Sequence, residues 1–158
     1  MSARFLTAVS GRAFNMRDRF GREIDYMRIS VIDSCNLNCY YCNPQDNNKN
    51  CQAINTLSVK KVFCIVRAAT RLGITHFRLT GGEPLLHPQI DEMVSQIKKI
   101  PGVRSVSLTT NAVLLAQHAK QLKEAGIDSI NVSLDTIDAS EYEHITKKPL
   151  LHKVEHGI

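Results

Sequence analysis

From Arg28 onward the chain alternates short β-branched runs with stretches of helical period. Met27–Asp33 reads as a first strand, with Ile29, Val31 and Asp33 alternating against Arg28, Ser30 and Ile32. Residues 43–56 are polar and turn-forming, and read as a loop. Ser58 then suits the N-cap of a helix in which Val59, Val62, Phe63, Val66 and Ala69 recur at helical spacing, with Gly73 at its end. Cys64 falls inside that apolar pattern and reads as a core residue.

The next strand, His76–Thr80, runs straight into Gly81-Gly82-Glu83-Pro84. Pro88 suits the first turn of a helix carrying Ile90, Met93, Val94 and Ile97 on one face, and Pro101-Gly102 breaks it. Val103–Thr109 predicts a third strand, followed by a helix with Leu115, Ala119 and Leu122 that Gly126 closes. Ser129–Leu134 predicts a fourth. Asp138 and Glu141 have the spacing of a capping box for a last short helix, which Pro149 limits. Four strands joined by helical crossovers imply a parallel α/β sheet, too few strands to close a barrel of eight. The expected architecture is a partial parallel (β/α) barrel of about four β–α units with an exposed edge.

At 158 residues the chain suits one domain, and a hydrophobic share of 43% is enough for a core. No apolar run approaches the ~20 residues a membrane span needs. Gly and Pro are ordinary in number and no low-complexity tract occurs, which excludes collagen-like and disordered chains. The net charge of +5 is concentrated early: residues 1–28 hold six Arg against Asp18, Glu23 and Asp25. The remainder is near balance and Trp is absent, so nothing suggests a nucleic-acid face, whereas an anionic small molecule fits the charge. Residues 1–25 read as a basic leader and 26–158 as the core domain. Five cysteines without a secretory segment point to reduced thiols in the cytoplasm, with a mitochondrial matrix location as the alternative reading of the Arg-rich start.

Three of those cysteines crowd into Cys35-Asn-Leu-Asn-Cys39-Tyr-Tyr-Cys42, in a loop after the first strand. Thiolates are soft ligands that such a loop can aim at one centre. A structural zinc site normally takes two separated pairs, and here there is a single cluster, with Cys51 as a conceivable fourth ligand. Three cysteines on four irons would leave one iron open to a ligand. Three unrelated buried thiols are the bland alternative. Thr80, Thr109, Asn111, Ser133 and Asp135 are polar groups at strand C-termini, where an α/β barrel places its active site. Ladder or cap hydrogen bonds would account for any one of them equally well.

The cysteine loop after one strand and Gly81-Gly82-Glu83-Pro84 after the next resemble the two signatures of the radical S-adenosylmethionine superfamily. Within it, DRFGREIDYMRISVIDSCNLNCYYC, FRLTGGEPLL, LTTNAVLL and AGIDSINVSLDTID are similar to the N-terminal part of the GTP 3′,8-cyclase family of molybdenum-cofactor biosynthesis. The resemblance implies that Cys35, Cys39 and Cys42 ligate a [4Fe-4S] cluster. S-adenosyl-L-methionine would occupy the open iron and yield a 5′-deoxyadenosyl radical. It implies Tyr41, Gly82, Glu83 and Ser133 as contacts of S-adenosylmethionine, and Arg28, Arg78 and Thr109 as contacts of GTP. The reaction implied is conversion of GTP to (8S)-3′,8-cyclo-7,8-dihydroguanosine 5′-triphosphate, with an electron donor as partner and a possible homodimer.

The chain differs from that family's pattern at Asn43 and at His87-Pro88, where a basic pair is usual. It also lacks a second cysteine cluster. A radical enzyme acting on a peptide or another small molecule is the alternative, as is an inactive cluster-binding fragment.

Overall fold

The computed structural model describes residues 16–42 and 55–158. The basic start up to residue 15, Asn43 and Cys51 lie outside the described residues. Four strands, β1 (Tyr26–Ser30), β2 (His76–Thr80), β3 (Ser105–Thr110) and β4 (Ser129–Val132), form one parallel sheet in the order of the chain. Each crossover is helical: α1 (Val59–Arg71), α2 (Ile90–Lys98) and α3 (Leu115–Ala125). Two short helices follow β4: α4 (Ala139–Thr146) and α5 (Leu151–Gly157). The sheet is open, with β1 and β4 at its edges among the described residues. This is the partial barrel the periodicity implies.

The strands alternate more strictly than an apolar reading of them suggests. Ile29, Phe77, Leu79, Val106 and Leu108 all turn to one face and are buried. They meet Val62, Val66 and Ala69 of α1, Met93, Val94 and Ile97 of α2, and Leu122 of α3 in one core. The other face carries Tyr26, Arg28, Ser30, Arg78, Thr80, Ser107, Thr109 and Asn131. Among the described residues, the crossover helices cover only one side. A parallel sheet covered on both faces reads as continuous hydrophobic runs, so this alternation marks a barrel-like curl around a polar interior.

Local signals place the helices. Ser58 accepts the Lys61 N–H at 3.4 Å as the N-cap of α1. Gly126 takes φ 90° to close α3. Asp138 caps α4 by accepting from the Glu141 N–H at 2.8 Å, but the return half of the box is indirect. Thr136 donates to Glu141 at 2.6 Å and accepts from the Asp138 N–H. Pro88 lies one residue outside the cap of α2, which is Gln89; the proline within a first turn is Pro84, in a 3₁₀ turn over Pro84–Leu86. Pro149 separates α4 from α5, a helix the periodicity did not announce.

Three expectations are corrected in detail. β1 stops at Ser30 rather than Asp33: the Val31 N–H still donates to Thr80 at 2.9 Å, but from there the chain also pairs with the returning segment Asn55–Leu57. β3 and β4 are likewise displaced at their ends from the expected ranges. Cys64 is exposed, not core: α1 buries Val62, Val66 and Ala69, and Cys64 lies on the opposite side. No described helix is long and apolar enough to cross a membrane.

Candidate functional site

The C-terminal ends of the strands and the cysteine loop surround one cavity of about 320 Å³. Cys35, Cys39 and Cys42 line it together with Tyr41, Gly82, Glu83 and Ser133, and with Arg28 and Thr109. The strand-end groups Thr80, Thr109, Asn111, Ser133 and Asp135 are all on its wall. Arg78 is not. It is the direct register partner of Arg28 across β1 and β2, on the same polar face.

The cysteine loop has no helix or strand of its own, so neighbouring elements hold it. The Asn38 and Tyr40 N–H groups donate to the carbonyls of Thr146 and Ile145, the last of α4, at 3.0 and 3.1 Å. Carbonyls at a helix end lack partners within the helix, and the loop supplies them. On the opposite side the glycine turn is pressed against the loop: the Gly82 N–H donates to the Ile32 carbonyl and the Glu83 N–H to that of Ser34, both at 2.8 Å. A Cβ on Gly82 would collide with the Ser34 carbonyl, and one on Gly81 with the Ile32 carbonyl. Both glycines are thus required by the approach of the cysteine loop itself, a reason that the spacing of the motif alone did not reveal.

Glu83 is 1% exposed, and its carboxylate ties the ends of β2 and β3. Oε1 accepts from the Leu85 N–H at 3.0 Å and the Thr110 hydroxyl at 2.7 Å, while Oε2 accepts from the Asn111 N–H at 2.8 Å. Burial pushes its carboxyl above the ordinary range, against those three donors. Oε2 retains acceptor capacity toward the cavity.

Asn111 in turn donates to Asn36 at 2.7 Å and to the Cys35 sulfur at 3.8 Å, and the Leu37 N–H reaches the same sulfur at 3.4 Å. Tyr41, 53% exposed, donates its phenol to Asp135 at 2.8 Å and so bridges the cavity mouth from the loop to the end of β4. That bond holds the phenol proton well above its ordinary value.

The donor set suits a polynuclear centre. The three thiols are free, and burial pushes those of Cys35 and Cys39 up. They share one cavity, yet no three Cys, His, Asp or Glu side chains among the described residues converge as ligands of a single metal ion. Three soft thiolates lining one cavity fit the thiolate ligation of an iron–sulfur cluster. Two buried hydroxyls on the cavity wall, those of Thr109 and Tyr142, also lack partners among the described residues. A buried polar group left unpaired costs on the order of 1–3 kcal/mol, so these atoms mark places for a bound molecule to satisfy.

Arg78 lies between the buried Phe77 and Leu79 and turns to the polar face of β2. Its Nε donates to Ser107 at 3.1 Å, and its guanidinium lies 5.6 Å above the Tyr26 ring. Tyr142 is a cavity residue that sequence reasoning missed; only its place four residues after Asp138, one turn into a capped helix, could have hinted at it.

This arrangement agrees with what the chain is related to. The Radical SAM superfamily model matches residues 29–157, and the chain belongs to that superfamily. It is similar to the GTP 3′,8-cyclase of Pelotomaculum thermopropionicum, 46% identical over 143 residues, and to that of Thermodesulfovibrio yellowstonii, 44% identical over 144. These matches cover 90% of the chain and 44% and 45% of those proteins. It is also 38% identical over 143 residues to molybdenum cofactor biosynthesis protein 1 of Homo sapiens, 22% of whose length is covered. The chain therefore spans less than half the length of the curated relatives it matches.

Proposed function

We propose that the chain supplies the cofactor-binding portion of a radical S-adenosylmethionine enzyme of molybdenum-cofactor biosynthesis that takes GTP as substrate, in the manner of a GTP 3′,8-cyclase. The observation that carries this reading is the meeting of three cysteines, the glycine turn and the polar strand ends around one cavity. When bound, a [4Fe-4S] cluster supplies the electron that cleaves S-adenosylmethionine to methionine and a 5′-deoxyadenosyl radical. Cys35, Cys39 and Cys42 would hold the cluster.

Glu83 offers Oε2 to an ammonium, and its tie across β2 and β3 keeps that oxygen in place. Gly82 and Ser133 present backbone and hydroxyl beside it, and Tyr41, latched to Asp135, shields the mouth from water. Arg28 and Arg78, neighbours in register, give the polar face a pair of guanidinium groups suited to phosphate oxygens. Thr109 adds a hydroxyl with no partner of its own. An external electron donor completes the set.

The pair His87-Pro88, where the sequence differs from the cyclase pattern, has a structural explanation. His87 is 2% exposed, with Nε2 3.0 Å from the Leu57 carbonyl and Nδ1 accepting the Gln89 N–H at 3.1 Å. That ring fastens the start of α1 to the start of α2, so the difference speaks to packing rather than to a peptide substrate.

The test is anaerobic loading with iron and sulfide, followed by EPR of the reduced chain. A four-iron signal that changes on adding S-adenosylmethionine is expected. Cys35→Ala, Cys39→Ala and Cys42→Ala should each abolish it, and Cys64→Ala should leave it intact. Loss of iron in Cys64→Ala, or a signal indifferent to S-adenosylmethionine, would overturn the reading.

A further inference from the structure

Of the buried polar atoms without partners among the described residues, the Tyr142 hydroxyl is the one for which neither surface chemistry nor the proposed nucleotide contact accounts. Asp91 has its other oxygen 3.9 Å from His118, and Thr109 belongs to the GTP contacts proposed above. Tyr142 is 3% exposed, so water does not readily serve it. A phenylalanine would fill the same space without leaving a donor stranded. The Thr146 hydroxyl, one turn along α4, is turned toward the carbonyls of Tyr142 and Lys148 at 2.8 and 3.0 Å. The phenol shares the cavity wall with all three cysteines. It stands on the helix whose last two carbonyls hold the cysteine loop, so phenol and ligands are fixed to one another by backbone bonds.

We propose that Tyr142 is a positioning residue for the redox centre, donating its phenolic hydrogen bond to sulfur of the bound cluster. The proposal rests on the reading of the cavity as a cluster site. Sulfur of an iron–sulfur cluster accepts hydrogen bonds, and it does so more strongly once the cluster gains an electron and becomes more negative. Tyr142 therefore favours the reduced state, as Asn111 and the Leu37 N–H do at Cys35.

The experiment compares Tyr142→Phe with the parent chain, both loaded anaerobically, by EPR-monitored redox titration without S-adenosylmethionine. The variant should be harder to reduce, by about tenfold in the one-electron equilibrium, which is about 59 mV. Before loading, its melting temperature should be equal to or above the parent's, because the stranded hydroxyl is gone. Electron–nuclear double resonance of the reduced parent in D₂O supplies a second reading that needs no variant to fold. It should show a strongly coupled exchangeable deuteron, lost in Tyr142→Phe. An unchanged potential, a shift that appears only with S-adenosylmethionine present, or the absence of that deuteron in the parent overturns the inference alone. A parent chain that takes up no cluster overturns the reading of the cavity with it.

Discussion

The two faces of the same four strands obey different rules. On the helix-covered face, Phe77, Leu79, Val106 and Leu108 are fully buried and interchangeable in kind: each contributes area and shape. On the open face, Arg28, Arg78, Thr109 and Asn131 occupy alternate positions of those very strands, and each is polar or charged. Residues one position apart thus answer to packing or to chemistry, according to the pleat. Stability should live on one face and ligand recognition on the other.

The largest effect that tests this division is Phe77→Ala. It removes a fully buried ring from the covered face and should cost about 3–5 kcal/mol in urea unfolding, without touching a ligand contact. A cost below about 1 kcal/mol would mean that the face is loosely packed.

Next comes Glu83→Gln at the boundary between the faces, expected to cost about 1–3 kcal/mol because an amide cannot accept from all three present donors. Burial raises the native carboxyl above its ordinary 4.5, so the folded chain binds that proton more tightly than the unfolded one. Its contribution is fullest below pH 4.5 and declines as pH rises through the native value. The penalty of the substitution should therefore shrink between pH 4 and 8, and a penalty that grows with pH would refute the argument.

The smallest stability effect belongs to the open face. Arg78→Ala loses one bond to Ser107 and should change stability by no more than about 1 kcal/mol. On the reading given above it should still weaken GTP binding measurably by calorimetry. A large loss of stability with unaltered binding would reverse the roles of the faces.

The same division explains what could be read in advance. His76–Thr80 was legible to the residue, because alternation and a glycine turn bound it on one side. Met27–Asp33 overran β1, since Val31 and Ile32 remain extended and apolar while they take on Asn55–Leu57 as a further partner, and a period of two does not name the partner. Cys64 was misplaced because a broad apolar stripe on α1 does not say where its edge falls. That the three cysteines and the strand-end polar groups meet at one cavity was legible from spacing and position. Tyr142 and the Tyr41–Asp135 latch were not, for they depend on how α4 and β4 fold back over a loop about a hundred residues earlier in the chain.

That fold-back has a consequence in time. The cysteine loop leaves the ribosome early, but its two backbone anchors, the carbonyls of Ile145 and Thr146, emerge far later. Tyr41 and Asp135 are separated by 94 residues. Such distant closures come late in folding, after the loop-entropy cost of drawing the ends together has been met. Until then the three thiols have no common cradle. On the reading of the cavity as a cluster site, iron delivered to the nascent chain would meet a tether and iron delivered after α4 has formed a vessel, and the order of synthesis would then schedule its filling.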